Sequence, residues 1–127
     1  MSAKFPDKLV FEEAGFAHGS MLLRLTSSFR YYSSLGLVYV PKNFVTDGAS
    51  IPRVFWSILS PFGAYFPAAL VHDFLYSPMN DEFTRSESDE IFLEAMQECG
   101  VPWHRRTIIY SAVRCAGWRF FKGTALT

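Results

Sequence analysis

Apolar and polar residues alternate along the first third of the chain, and the period then changes. Short alternating runs at 8–12, 21–26, 29–32 and 37–40 predict strands, with Gly15, Gly19, Ser20, Ser33 and Ser34 as punctuation and Pro41 ending the last. They suit an antiparallel sheet of three to five strands. After residue 50 the apolar positions recur at helical spacing. Pro52, with Ser50 as cap, opens a short helix to about Leu59, and a second runs from about Pro67 to Tyr76 before Ser77 and Pro78 break it. Thr84 and Glu87 have capping-box spacing and launch a third helix that Gly100 stops. Pro102 starts a long last helix reaching Phe120 or Phe121. The fold class is therefore α+β: a small N-terminal antiparallel β-sheet followed by a three- to four-helix C-terminal half. One domain is expected over 1–127, mainly strands in 1–46 and mainly helices in 50–122.

Composition narrows this picture. Half of the 127 residues are hydrophobic and 17% are aromatic, which excludes disorder and implies an aromatic core or exposed apolar surface. The formal net charge of zero hides an asymmetry. Between Asp73 and Glu98 the single base is Arg85, whereas after Val101 the charged residues are Arg105, Arg106, Arg114, Arg119 and Lys122. An acidic helix beside a basic one accounts for this, with Arg114 a candidate partner; a basic face for a phospholipid surface is the sharper alternative. The balanced charge argues against nucleic acid as the partner. Cys99 and Cys115 sit at apolar helical positions and read as buried free thiols. The first residues lack the apolar segment of a signal peptide. The stretch 54–71 carries no Asp, Glu, Lys, Arg or His, but Pro61, Gly63 and Pro67 divide it, so no transmembrane span is expected.

The chemistry concentrates at His72-Asp73, an ionisable pair inside an apolar run and costly to bury unpartnered. At about 100° per residue, His72 and Tyr76 share a helix face while Asp73 points to its flank. Asp89 borders the apolar stripe of the following helix, three residues before Phe92. Antiparallel packing of the two helices would bring an imidazole, two carboxylates and a phenol together, a set able to hold a metal or activate a water. Each residue also has a plainer reading. His72 can be a core histidine hydrogen-bonded to a carboxylate, and Asp73 can sit in a charge network with Arg85 or Arg114. Asp47-Gly48 can be a turn with Ser50 as a helix cap, although the segment lies where carboxylates and amides often face a cleft. Glu87, Glu90, Glu94 and Glu98 read as a solvated face, and His18 and His104 as peripheral.

Three ordered motifs, at 45–53, 68–76 and 85–96, resemble the hallmarks of an uncharacterised domain-of-unknown-function family of tailed phages and prophages. This resemblance implies a viral origin and no settled activity. A narrower likeness covers about 25 residues. His-Asp-x-x-Tyr on one helix and Asp on the next is similar to the catalytic helix pair of phospholipase A2. It implies His72 as the base that deprotonates a water, with Tyr76 and Asp89 orienting it. It implies Asp73 as a calcium ligand, with Asp47 a further candidate. The Gly-rich calcium loop and the disulfides of the secreted enzymes have no counterpart here.

Two functions follow as expectations. One is a hydrolase, metal-free or assisted by Ca2+, using His72, Asp89 and Tyr76 on lipid or another envelope component. The other is a non-enzymatic phage virion or tail accessory component in which the His/Asp cluster is structural. The expected partners are other virion proteins or a host envelope component, with peripheral membrane contact in the first case. The expected location is the virion, or the cytoplasm or envelope of the bacterial host.

Overall fold

The computed structural model describes residues 4–17, 20–46 and 66–125. The predicted helix from Pro52, the Asp47–Ser50 segment, His18 and most of the uncharged 54–71 stretch lie outside these residues. The fold is α+β. Its strands form two small antiparallel sheets, and three helices follow them.

Strands β1 (Phe11–Ala17), β2 (Ser20–Leu25) and β5 (Val45–Thr46) make one sheet in the order β1-β2-β5; β3 (Phe29–Ser33) and β4 (Gly36–Val40) form a hairpin of their own. The single sheet expected from alternation is thus divided. β1 also runs later than the pattern at 8–12 suggested, because a bulge between Glu13 and Gly15 carries the strand through the glycine. Gly15 sits there at φ 111°, a conformation that disfavours side chains. The two-residue β5 is too short to leave a periodic signal, and pairs Val45 and Thr46 with Arg24 and Leu23.

The helices are α1 (Phe66–Tyr76), α2 (Arg85–Glu98) and α3 (Trp103–Ala116), the last running into a 3₁₀ turn at Gly117–Arg119. α1 is buried nearly all round, since five consecutive residues from Ala68 to His72 are inaccessible. Its turn into α2 is held by Asn80, whose amide donates to the Leu75 and Phe83 carbonyls and whose oxygen accepts from the Glu82 and Phe83 N–H groups. The expected capping box opens α2: Thr84 Oγ1 accepts from the Glu87 N–H, and Glu87 accepts from the Thr84 N–H. The core joins Phe29, Tyr31, Val38 and Val40 of the hairpin to Leu70 and Leu75 of α1 and to Ile91, Phe92 and Met96 of α2.

The expectations for the two cysteines and for Glu94 need correction. α3 packs against α2 and buries only Ile109 and Val113, leaving Trp103 exposed, as is Phe120 beyond its end. Cys115 is exposed and Cys99 half-buried, both as free thiols, because so narrow a buried face cannot include position 115. Arg105 and Arg106 are both half-buried, and Arg106 donates to the Val101 carbonyl. Glu94 is not on a solvated face. It accepts from Ser34 N–H at 2.9 Å, Ser34 Oγ at 2.6 Å and Tyr31 Oη at 3.2 Å, fastening α2 to the hairpin turn.

Candidate active site

The site is built around one inaccessible carboxylate. α1 places His72 and Tyr76 one helical turn apart on the face turned to α2, and α2 presents Asp89 to both. His72 Nε2 lies 3.1 Å from Asp89 Oδ1, and Tyr76 Oη donates to the same oxygen at 2.6 Å. The other oxygen, Oδ2, accepts from Arg114 Nη1 at 2.8 Å and pairs with Arg85 at 3.5 Å. Arg85 also donates to the carbonyls of Val113 and Arg114, so the carboxylate ties all three helices at one point. The two arginines suspected as partners for Asp73 or for the acidic helix both converge on Asp89.

Burial alone would raise the Asp89 pKa, but the hydrogen bonds from His72, Tyr76 and Arg114 outweigh it and hold the carboxyl below its ordinary value. Asp89 is therefore a buried anion with both oxygens satisfied. Burial first, and then the hydrogen bond to Asp89, push the Tyr76 phenol up, so that it remains an O–H donor.

His72 is 1% exposed and lies against two rings, Phe92 and Tyr76, each with its centroid 4.2 Å away. These rings leave the imidazole little freedom to rotate. In the neutral imidazole, Nε2 carries the proton and donates it to the anionic Asp89, which leaves the lone pair on Nδ1. That nitrogen is buried and has no hydrogen-bond partner among the described residues. His72 and Tyr76 also line a cleft of about 20 Å³, whose other walls are Ala112, Val113, Ala116, Gly117 and, at its exposed end, Phe120. Such a volume is about what one water needs.

Gly117 was not singled out by the sequence reading, yet it sets the position of the phenol. A Cβ there would stand 2.5 Å from Tyr76 Oη. Gly117→Ala is expected to displace the ring, lengthen the Tyr76–Asp89 bond and destabilise the fold by about 1–3 kcal/mol, as overpacking does. Thermal unfolding measures the cost, and an unchanged midpoint would show that Tyr76 moves aside freely.

Asp73 is half-buried and engaged in a polar interaction of its own, and Asp89's four contacts are made without it. Among the described residues no group of three His, Cys, Asp or Glu side chains could hold a metal ion. Asp47 lies outside those residues. Calcium takes six to eight oxygen ligands, and Asp73, the described candidate, belongs to no such group.

An α+β chain with a buried histidine–carboxylate–tyrosine cluster across its helices is the class of protein that this geometry defines. The family model described as "Protein of unknown function (DUF1353)" matches residues 23–113, and the chain belongs to that family. The matched span includes His72, Tyr76 and Asp89. A curated relative, the uncharacterized protein y4jT of Sinorhizobium fredii (strain NBRC 101917 / NGR234), is 36% identical over 99 residues. The aligned part is 76% of this chain and 29% of that protein, so the chain spans under a third of the relative's length. No solved structure matches.

Proposed function

We propose that the chain is a hydrolase in which His72 is the general base, Asp89 and Tyr76 hold it in position, and the substrate is a lipid or another apolar component of a bacterial envelope. One observation carries the reading: His72 spends Nε2 on Asp89 and keeps Nδ1 buried without a partner. A histidine kept only to lock helices has no use for an orphan nitrogen, which costs about 1–3 kcal/mol. An unsatisfied buried group of this kind asks for a catalytic role or a bound water.

In the proposed reaction a water at Nδ1 gives up its proton as its oxygen attacks an acyl or phosphoryl centre. The imidazolium so formed keeps its Nε2–H on the Asp89 anion, and Nδ1 then returns the proton to the leaving oxygen. The cleft at His72 has room for the water alone, so the substrate must approach from the Phe120 end. There Phe120 is 58% and Trp118 64% exposed, beside the exposed bases Arg119 and Lys122. Aromatic rings next to bases suit the headgroup region of an anionic bilayer. No helix of the described residues is long and apolar enough to cross a membrane, so this contact would be peripheral. The phage or prophage setting is carried by the three motifs and their resemblance.

A second reading has its own support. His72 and Asp89 are 1% and 0% exposed, and a clasp joining three helices would stabilise a virion component whatever its chemistry. Co-sedimentation with phosphatidylglycerol vesicles, combined with measurement of released fatty acid, separates the two. The full chain is expected to pellet with the vesicles, less so as salt rises, and to release acid. A Trp118→Ala, Phe120→Ala variant is expected to bind about tenfold less. A chain that neither binds at low salt nor releases acid would favour the virion component.

A further inference from the structure

A second surface, away from His72, has the features of a peptide-binding site. In an antiparallel pair, alternate residues turn their N–H and C=O groups away from the partner strand. On β3 these residues are Arg30 and Tyr32, whose N–H groups are taken by Asp7 Oδ2 and by the Lys4 carbonyl, each at 2.9 Å. Their cross-strand neighbours on β4 are Tyr39 and Leu37. The backbone groups of Tyr39 and Leu37 therefore point outward along the opposite edge, where no described residue pairs with them. Native sheets guard such edges with charges, prolines or bulges. β4 reads Gly-Leu-Val-Tyr-Val and has no such guard before Pro41.

A groove of about 440 Å³ runs beside this edge. Leu37 and Tyr39 form one wall, Phe74, Met79 and Phe83 supply apolar surface, and Asp81 and Glu82 lie on the loop between α1 and α2. Leu37, Tyr39 and Met79 are 42%, 52% and 54% exposed. The carboxylates of Asp81 and Glu82 are exposed and form no ion pair with a described residue.

We propose that the groove and the β4 edge form a docking site for an extended segment of a partner protein that carries alternating apolar and basic side chains. The segment adds to β4 as a third strand, its main chain bonding to Leu37 and Tyr39. Successive side chains point to opposite faces, so apolar ones enter between Tyr39 and Met79 while Lys or Arg meets Asp81 and Glu82. The same two carboxylates repel anionic lipid and nucleic acid, which makes this face distinct in partner from the Trp118–Phe120 end.

The test is fluorescence polarisation of two labelled peptides on the full chain, one alternating Val and Lys and one alternating Val and Glu. The basic peptide is expected to bind, more weakly at higher salt, and the acidic one not to bind. Asp81→Lys with Glu82→Lys, both on exposed positions, is expected to weaken the basic peptide about tenfold and to admit the acidic one. Tyr39→Pro removes an outward N–H that β3 does not use, so the hairpin tolerates it while peptide binding is lost. Failure of the basic peptide to bind at millimolar concentration would overturn the proposal, as would equal binding of both peptides. Self-association abolished by Tyr39→Pro, in place of peptide binding, would assign the edge to a second copy of the chain and overturn it equally.

Discussion

Asp89→Ala is expected to lower stability by about 3–5 kcal/mol, the cost of removing one partner from a buried ionic cluster, and the melting temperature by about 10 °C or more. The expectation follows from what the carboxylate holds. His72, Tyr76, Arg85 and Arg114 all converge on it, from three helices. Without it the Tyr76 phenol and His72 Nε2 are stranded in the core, whereas the arginines, 20% and 33% exposed, can turn toward water. The anion also gives the fold an acid limb. Its folded pKa lies below its unfolded value of about 3.8, so its stabilisation is complete above about pH 4 and is lost as pH falls through the lowered folded pKa. Asp89→Asn should flatten that limb. Chemical denaturation of both variants and of the unaltered chain, from about pH 2 to about pH 7 so as to bracket the ordinary carboxylate pKa, reads the two effects together. A loss below about 1 kcal/mol in Asp89→Ala would mean that the clasp contributes little.

His72→Phe is expected to have the opposite profile. The new ring keeps the stacking on Phe92 and Tyr76, removes the orphan Nδ1, and leaves Asp89 with three of its four partners. Stability should therefore change much less than in Asp89→Ala. Release of fatty acid from phosphatidylglycerol vesicles should fall about 10²–10⁴-fold, the usual contribution of a general base. If His72 were only part of the clasp, there would be no release of acid for His72→Phe to remove, and the two variants would differ only in degree of destabilisation.

Much of this was legible because it is local. Thr84 and Glu87 announce the start of α2, Gly100 its end, and the four-residue spacing of His72 and Tyr76 puts both on one face. Asp89 stood out because it borders a stripe containing Phe92. What the pattern hid depends on distant partners. Arg114 was a candidate partner for the acidic helix, but that it meets Asp89, across 25 residues, follows from how the helices pack. Glu94 looks like its neighbours Glu90 and Glu98 until the hairpin turn brings Ser34 against it. The division of the sheet depends on the pairing of β5 with β2, and α3's stripe is apolar enough to suggest a buried face that most of it does not have. Gly117 resembles a helix end, and its value lies in a contact with Tyr76 more than one helix away. Which nitrogen of His72 faces Asp89 cannot be read from any sequence pattern, and the functional reading turns on it.

The hydrolase reading requires a neutral imidazole held by Asp89 through one nitrogen, with the other bare and ready to take a proton. A proton–nitrogen correlation spectrum of the full chain, labelled at histidine and recorded near neutral pH, observes this state directly. His72 is expected to carry its proton on Nε2 and none on Nδ1, and Asp89→Asn is expected to disturb this assignment. A proton on Nδ1 with Nε2 bare, or both nitrogens protonated at neutral pH, would contradict it.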